Sequence, residues 1–424
     1  MDDPRSERLY YLDWLRFLVV LSLAPFHAAL SFTGMGAVFV YDTPVRDAIL
    51  AGHVPEAGPA ALRLFTVFFD NWFMHLLFLV SGVGAAYSLR KRGARAFVGE
   101  RANRLLIPLL LGTLLVVSVQ SWLRALSFGT FSGGFLSFYP HFFNGIHGSV
   151  TSPGNYDWGH LWFLAYLFVF SVLALPLFLR MEGAGPASRH PSAASRLSEG
   201  ASILAPALWI AVLEALFRPG WPGYQNLVAD WANFTVYLSF FVFGYLAGKE
   251  PGLLEAVERA RWAALGLGLA AFAARLGTYR LFRVGPGYDP ANVAAQALRG
   301  LAAYGLVLAI VGFGRRRLNR AGPGFGWARD LSFPLYVLHF APLCAAIYLL
   351  DGSGLSVWTR WAIAVAASWG FVGLFTVISR YVPPLRDFFG IRKPAARGDR
   401  GRAAAMAAAV SGTPPDREGK SSRR

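Results

Sequence analysis

The chain is 424 residues long, 55% hydrophobic and only 15% charged, with a net charge of +16. A soluble domain holds about 25% charged residues; here the deficit runs along the chain and excludes a soluble globular protein in favour of a polytopic membrane protein. The single cysteine, Cys344, excludes an intramolecular disulfide and a thiolate metal cluster.

The first apolar run, residues 9–32, reads LYYLDWLRFLVVLSLAPFHAALSF, and about 20 apolar residues suffice to cross a bilayer as a helix. Asp13, Arg16 and His27 are embedded in it. A charge inside a span costs roughly 2.5–3.5 kcal/mol on insertion scales, so it faces a cavity or a partner and marks function. At about 100° per residue the step from Arg16 to His27 is three turns plus about 20°, and Asp13 lies one turn before Arg16. All three therefore share one stripe, with about 16 Å along the axis between guanidinium and imidazole. That pattern describes one wall of a polar channel. The run lacks a small-residue cleavage site and is expected to act as an uncleaved start-transfer helix.

Further apolar runs follow at 64–88, 105–123, 160–179, 202–217, 232–248, 262–279, 291–313, 332–350 and 357–379, separated by turn-rich breaks. The expectation is an all-α fold of about ten transmembrane helices. With the N-terminus inside, the inner segments hold 30 of the 40 Arg and Lys residues, notably Arg90 to Arg104 and Arg315 to Arg329. This alternation is the positive-inside pattern and puts both termini in the cytoplasm. The basic excess is thus topological and excludes a nucleic-acid partner. The basic set is almost all Arg and the chain is rich in Ala and Gly, which points to a GC-rich bacterial genome and a multi-pass protein of the inner (plasma) membrane.

Residues 1–382 form the expected transmembrane domain. Residues 383–424 form a basic tail without apolar periodicity, expected to be disordered. The inner loop 181–200 reads as a flexible connector. No internal repeat of the transporter kind is visible. The outer segment between Trp122 and His160 is crowded with aromatic, His and Asn residues, and so is expected to pack as a cap. It suits a carbohydrate acceptor or, alternatively, an interfacial aromatic belt.

Several residues can carry chemistry. His27 lies in the outer half of its span, just after the helix-bending Pro25, and a neutral imidazole can take a proton from a hydroxyl. The alternative is a packing histidine bonded to a carbonyl. Asp13 and Arg16 form an internal ion pair, a donor-side contact, or both. Arg101 and Arg104, one turn apart on the inner face, either grip phosphates or anchor topology. Ser81 and Gly82 close the second span, where Gly82 and Gly84 permit close helix approach. His160 and Trp162 open the fourth span at the depth of His27, and His339 lies a third of the way through the ninth. His75 and Arg299 also fall within spans. No metal-ligand spacing, P-loop or nucleophile elbow is present.

Five segments in order complete a pattern: LDWLR followed by His27, FMHLLFLVSG, RANRLLIPLLLG, HLWFLAYL and FPLYVLHF. Together they resemble the integral-membrane acyltransferases of the acyltransferase-3 type, closest to the branch containing glucan-biosynthesis protein C, a glucan succinyltransferase. The resemblance implies a ten-helix enzyme that binds no cofactor. It would take an acyl group from cytoplasmic acyl-CoA, as co-substrate, to a hydroxyl at the outer face, usually on a sugar. It implies catalytic roles for His27 and Arg16 and donor binding by Arg101 and Arg104. Asp13, Ser81, His160, Trp162 and His339 are expected to support the site or its acceptor side. One departure stands out: His75 replaces the proline of FMPLLF, which leaves the second helix's shape open and adds an imidazole near the site. The competing class is an exporter of a sugar or lipid-linked precursor, and a third is a scaffold for envelope synthesis.

Overall fold

A computed structural model of the chain describes residues 9–36, 38–52, 58–146, 154–183, 200–223 and 225–392. Most of the basic tail and most of the 181–200 connector lie outside the described residues. Among the described residues there is no strand, only one isolated bridge between Ile146 and Tyr156.

Helix α1 (Tyr10–Thr33) stands at the centre. It ends at Gly34, whose φ of 67° lets its N–H turn back onto the Leu30 carbonyl, a left-handed stop that glycine adopts without penalty. After a short α2 (Thr43–Leu50), α3 (Ala60–Asp70) and α4 (Phe73–Arg92) follow one another in a single apolar stretch, Ala60–Arg92. Helix α5 (Ala94–Ser127) widens into π-helical turns at Ala102–Leu106 and Thr113–Val117. Next come α6 (Trp162–Leu173), α7 (Leu175–Gly183), α8 (Pro206–Phe217), α9 (Trp231–Lys249) and α10 (Pro251–Leu281). Helix α11 (Pro290–Leu318) starts on Pro290 behind an Asp289 cap that accepts the Ala291 and Asn292 N–H groups. The chain closes with α12 (Phe325–Leu338), α13 (Phe340–Leu350), α14 (Val357–Ser379) and α15 (Pro383–Phe389).

Every expected span falls on a helix. Among the described residues five helices are long and apolar enough to cross a membrane, and seven if each bent pair counts as one span: α6 with α7, bent 44°, and α12 with α13, bent 57°. Helix α8 is short, and α10 carries Glu255, Glu258, Arg259 and Arg261 in its first half, which dilutes its apolar character. The chain is therefore an all-helical, multi-pass membrane protein.

Two features position α1. It touches α2, α3, α4, α11, α12, α13 and α14, so its faces are read by seven elements. On the far side α4 and α9 cross backbone to backbone. A Cβ on Gly82 would fall on the Phe241 carbonyl, and one on Gly244 on the Leu79 carbonyl. Small residues at a membrane crossing admit such contact because lipid supplies no hydrophobic drive to bring helices together.

Candidate functional site

Pro25 has no N–H to offer the carbonyl four residues back, that of Leu21. The Trp369 indole supplies the missing donor, at 3.1 Å, and Trp361 donates to the Pro25 carbonyl, also at 3.1 Å. Helix α14 thus holds the proline-containing turn of α1 and, with it, His27.

Three imidazoles from distant parts of the chain meet here. His27 Nδ1 lies 2.9 Å from His339 Nε2, and the two rings meet edge to edge and nearly coplanar, their centres 5.1 Å apart with 16° between their planes. His160 meets His339 edge-on at 5.0 Å and His27 at 6.5 Å. Phe340 lies flat on His27 at 4.5 Å. His339 is wholly buried and His160 nearly so, whereas His27 keeps part of its surface open. Among the described residues His27 Nε2 has no hydrogen-bond partner.

Local sequence explains how His339 arrives. Pro342 removes the N–H that Leu338 would receive, and its ring crowds that carbonyl, so the helix bends where α12 gives way to α13. His339 sits in the bend. Its Nδ1 lies 2.8 Å from the Leu335 carbonyl, and its own carbonyl accepts from Ser368 at 2.7 Å. His160 is fastened as firmly: its Nε2 lies 3.0 Å from the Val337 carbonyl, its Nδ1 faces Gln120 Nε2 at 3.5 Å, and Tyr336 donates to its carbonyl at 2.9 Å.

Gln120 belongs to a polar face of α5 that leads toward the aromatic loop between Trp122 and His160. Ser121 donates to the Asn155 carbonyl at 3.1 Å, and Arg124 reaches the Gly154 carbonyl and the Asn155 side chain at 3.0 and 3.1 Å. The aromatic residues of that loop pack together, with Phe138 and Phe142 buried against Trp122, Phe131 and Tyr156.

At the other end of the stripe Arg16 pairs with Asp13 at 3.3 Å and remains 42% exposed. Arg101 lies close enough for the two guanidinium charges to repel. Its guanidinium covers Phe97 at 5.0 Å, and its buried Nε has no partner. Arg104 is different: it is 75% exposed and pairs with Glu100 at 3.3 Å. The π-helical turn starting at Ala102 breaks the spacing that would stack Arg101 and Arg104 on one face.

The remaining expected site residues stay apart from the histidines. Trp162 stacks on Tyr237 at 5.7 Å and stands 5.2 Å from Tyr166. Ser81 is half-buried on α4 and makes no hydrogen bond to the cluster. His75 is fully buried, edge-on to Tyr237 and Phe240 at 5.1 Å each, and both its nitrogens are unpartnered. Among the described residues its ring contacts are Tyr237 and Phe240, not the three imidazoles. Arg299 is a structural tie, pairing with Asp70 at 3.1 Å and Glu214 at 3.6 Å, while Arg218 grips Glu214 and Asn233 at 2.8 Å each. Gln120, Tyr336, Phe340, Ser368 and the two tryptophans escaped the sequence reading. For Trp361 and Trp369 a signal existed in Pro25, which announces an orphan carbonyl. Among the described residues no group of three His, Cys, Asp or Glu side chains is placed to hold a metal ion.

No curated protein and no solved structure gives a match. The acyltransferase-3 family, described as an acyltransferase domain, matches residues 9–380, which takes in the Arg16–His27 stripe, α5 and the whole histidine cluster. The chain belongs to that family of membrane acyltransferases.

Proposed function

We propose that the protein moves an acyl group from cytoplasmic acyl-CoA to a hydroxyl of a carbohydrate or other envelope or secondary-metabolite acceptor, with His27 as general base. The observation that carries this reading is the state of His27. Among the described residues it alone of the three imidazoles is both partly exposed and free at one ring nitrogen.

The steps balance. His27 Nε2 takes the proton of the acceptor hydroxyl as its oxygen attacks the thioester carbonyl. The C–S bond then breaks, the new ester forms, and the CoA thiolate recovers the proton from His27. Arg16 and Arg101, two guanidinium groups at the inner end of the stripe, suit the anionic donor. Gln120, His160 and the loop held by Arg124 lie on the acceptor side. The reading includes ten spans with both termini cytoplasmic, a transmembrane domain over 1–382, a cytoplasmic tail, a bacterial inner membrane, and a glucan-succinylating branch.

The purified protein with labelled acyl-CoA tests it. The enzyme releases free CoA and transfers label to a hydroxyl acceptor, whereas an exporter or scaffold leaves the thioester intact. His27→Ala lowers turnover by about 10²–10⁴-fold, the worth of general acid–base help, with normal membrane insertion. His27→Gln keeps a hydrogen bond but cannot take a proton at neutral pH. Near-normal transfer by a well-inserted His27→Gln removes the general-base mechanism.

A further inference from the structure

The proton positions in the histidine cluster can be worked out from the carbonyls around it. His339 Nδ1 faces two carbonyl oxygens, Leu335 at 2.8 Å and Tyr336 at 3.2 Å. A carbonyl only accepts, so Nδ1 carries the hydrogen, and Nε2 of the neutral ring is then a bare acceptor. His27 Nδ1 stands 2.9 Å from that Nε2 and must be the donor. The hydrogen of His27 is therefore on Nδ1, and its lone pair is on Nε2, the nitrogen without a partner.

We infer that His339 is a positioning residue that holds His27 in the tautomer with a bare Nε2 and so keeps the proton-accepting atom available to substrate. This rests on the general-base reading of His27 and deepens it. A free imidazole exchanges between tautomers, and a base with its hydrogen on the wrong nitrogen cannot act; the loss from a mis-set histidine tautomer reaches about 10⁴-fold in a serine-protease triad.

The surroundings leave His339 no other arrangement. Its ring is fully buried, its backbone carbonyl is held by Ser368 at 2.7 Å, and Phe340 packs flat on the His27 face. His160 is the nearest alternative partner, but both its nitrogens are engaged, Nε2 by the Val337 carbonyl and Nδ1 by Gln120. It meets His339 by ring edge without a hydrogen bond. The order of bonds is thus His27 to His339 to Leu335, each nitrogen donating toward the buried side.

The test compares His339→Leu with His339→Gln in the full-length protein. The Gln side chain can place its amide oxygen near the site of the lost Nε2 and accept the same N–H, while Leu cannot. His339→Leu is expected to lower kcat by about 10-fold to 10⁴-fold, the range seen when an orienting partner of a histidine is lost, with KM for acyl-CoA unchanged. His339→Gln recovers most of that loss. A readout independent of turnover comes from 15N-histidine NMR in lipid, with the His27 signals assigned by their absence from His27→Gln. The wild type and His339→Gln should show a protonated Nδ1 and a bare Nε2 on His27, and His339→Leu a mixture. A wild-type His27 with its hydrogen on Nε2 overturns the inference. So does a normal kcat in His339→Leu when His27→Ala is inactive. If His27→Ala is itself active, the general-base reading falls, and the NMR pattern still decides the tautomer. Should His339→Leu fail to accumulate, the spectra of the wild type and the Gln variant decide.

Discussion

The indole N–H of Trp369 occupies the Leu21 carbonyl that Pro25 leaves without a helical donor, 3.1 Å away across 348 residues of sequence. The proline in α1 and the indole on α14 are therefore one feature, and His27 follows the proline by two residues. Proline in a membrane helix is tolerated where neighbours satisfy the freed backbone group.

Removing the indole donor tests this coupling. Trp369→Phe should destabilise by about 0.5–1.5 kcal/mol, the net worth of a typical hydrogen bond. Pro25→Ala restores an N–H that can reach Leu21, so Trp369→Phe should cost less in that background. Thermal unfolding of the two single variants and the double variant in detergent reads the difference, and strict additivity would show that the two residues act separately.

The crossing of α4 and α9 gives a contrast within one helix. A methyl at Gly82 meets the Phe241 carbonyl, which cannot move without its helix, whereas one at Gly84 meets nothing within 4 Å. Gly82→Ala should destabilise by about 1–3 kcal/mol, as overpacking does. Gly84→Ala should be neutral or stabilise by about 0.4–1 kcal/mol through the unfolded chain. Detergent melting curves of both separate the two effects.

The donor side makes its own prediction. Arg101 has a buried, unpartnered Nε and lies near Arg16, while Arg104 is largely exposed and already paired with Glu100. Arg101→Gln should raise KM for acyl-CoA more than it lowers kcat, because ground-state binding is lost. Arg104→Gln should change KM much less, and Arg101→Lys should recover part, keeping charge but losing the fork. Equal effects at the two positions, or lost insertion with unchanged KM, would mark both as topological anchors.

Orientation is read by reporter fusions. Fusions after Lys91 and Arg317 should report the cytoplasm, and fusions near Gly134 and Gly223 the exterior. An external signal after Arg317 would break the ten-span arrangement, since it requires an odd number of crossings from a cytoplasmic N-terminus.

The sequence by itself determined what depends on local periodicity and composition. The helical, multi-pass class follows from apolar runs of bilayer length. The Asp13–Arg16 pair, seen at 3.3 Å, follows from spacing along one helix. Close approach was legible at Gly82 but was expected equally at Gly84, which meets nothing within 4 Å, because a small residue alone does not say which face a neighbour crosses. The tertiary structure alone decided which side chains meet. Nothing local distinguishes His339 and His160, which join His27, from His75, which is as apolar in its surroundings yet lies apart. A span that is apolar all round carries no stripe to say which face turns inward. Its rotation is set by backbone crossings, by bends such as the one before Pro342, and by π-helical turns that upset regular spacing after Arg101. For that reason the hydrogen-bond partner of His27 comes from 312 residues away, and the protonation of its ring is written in the carbonyl of Leu335.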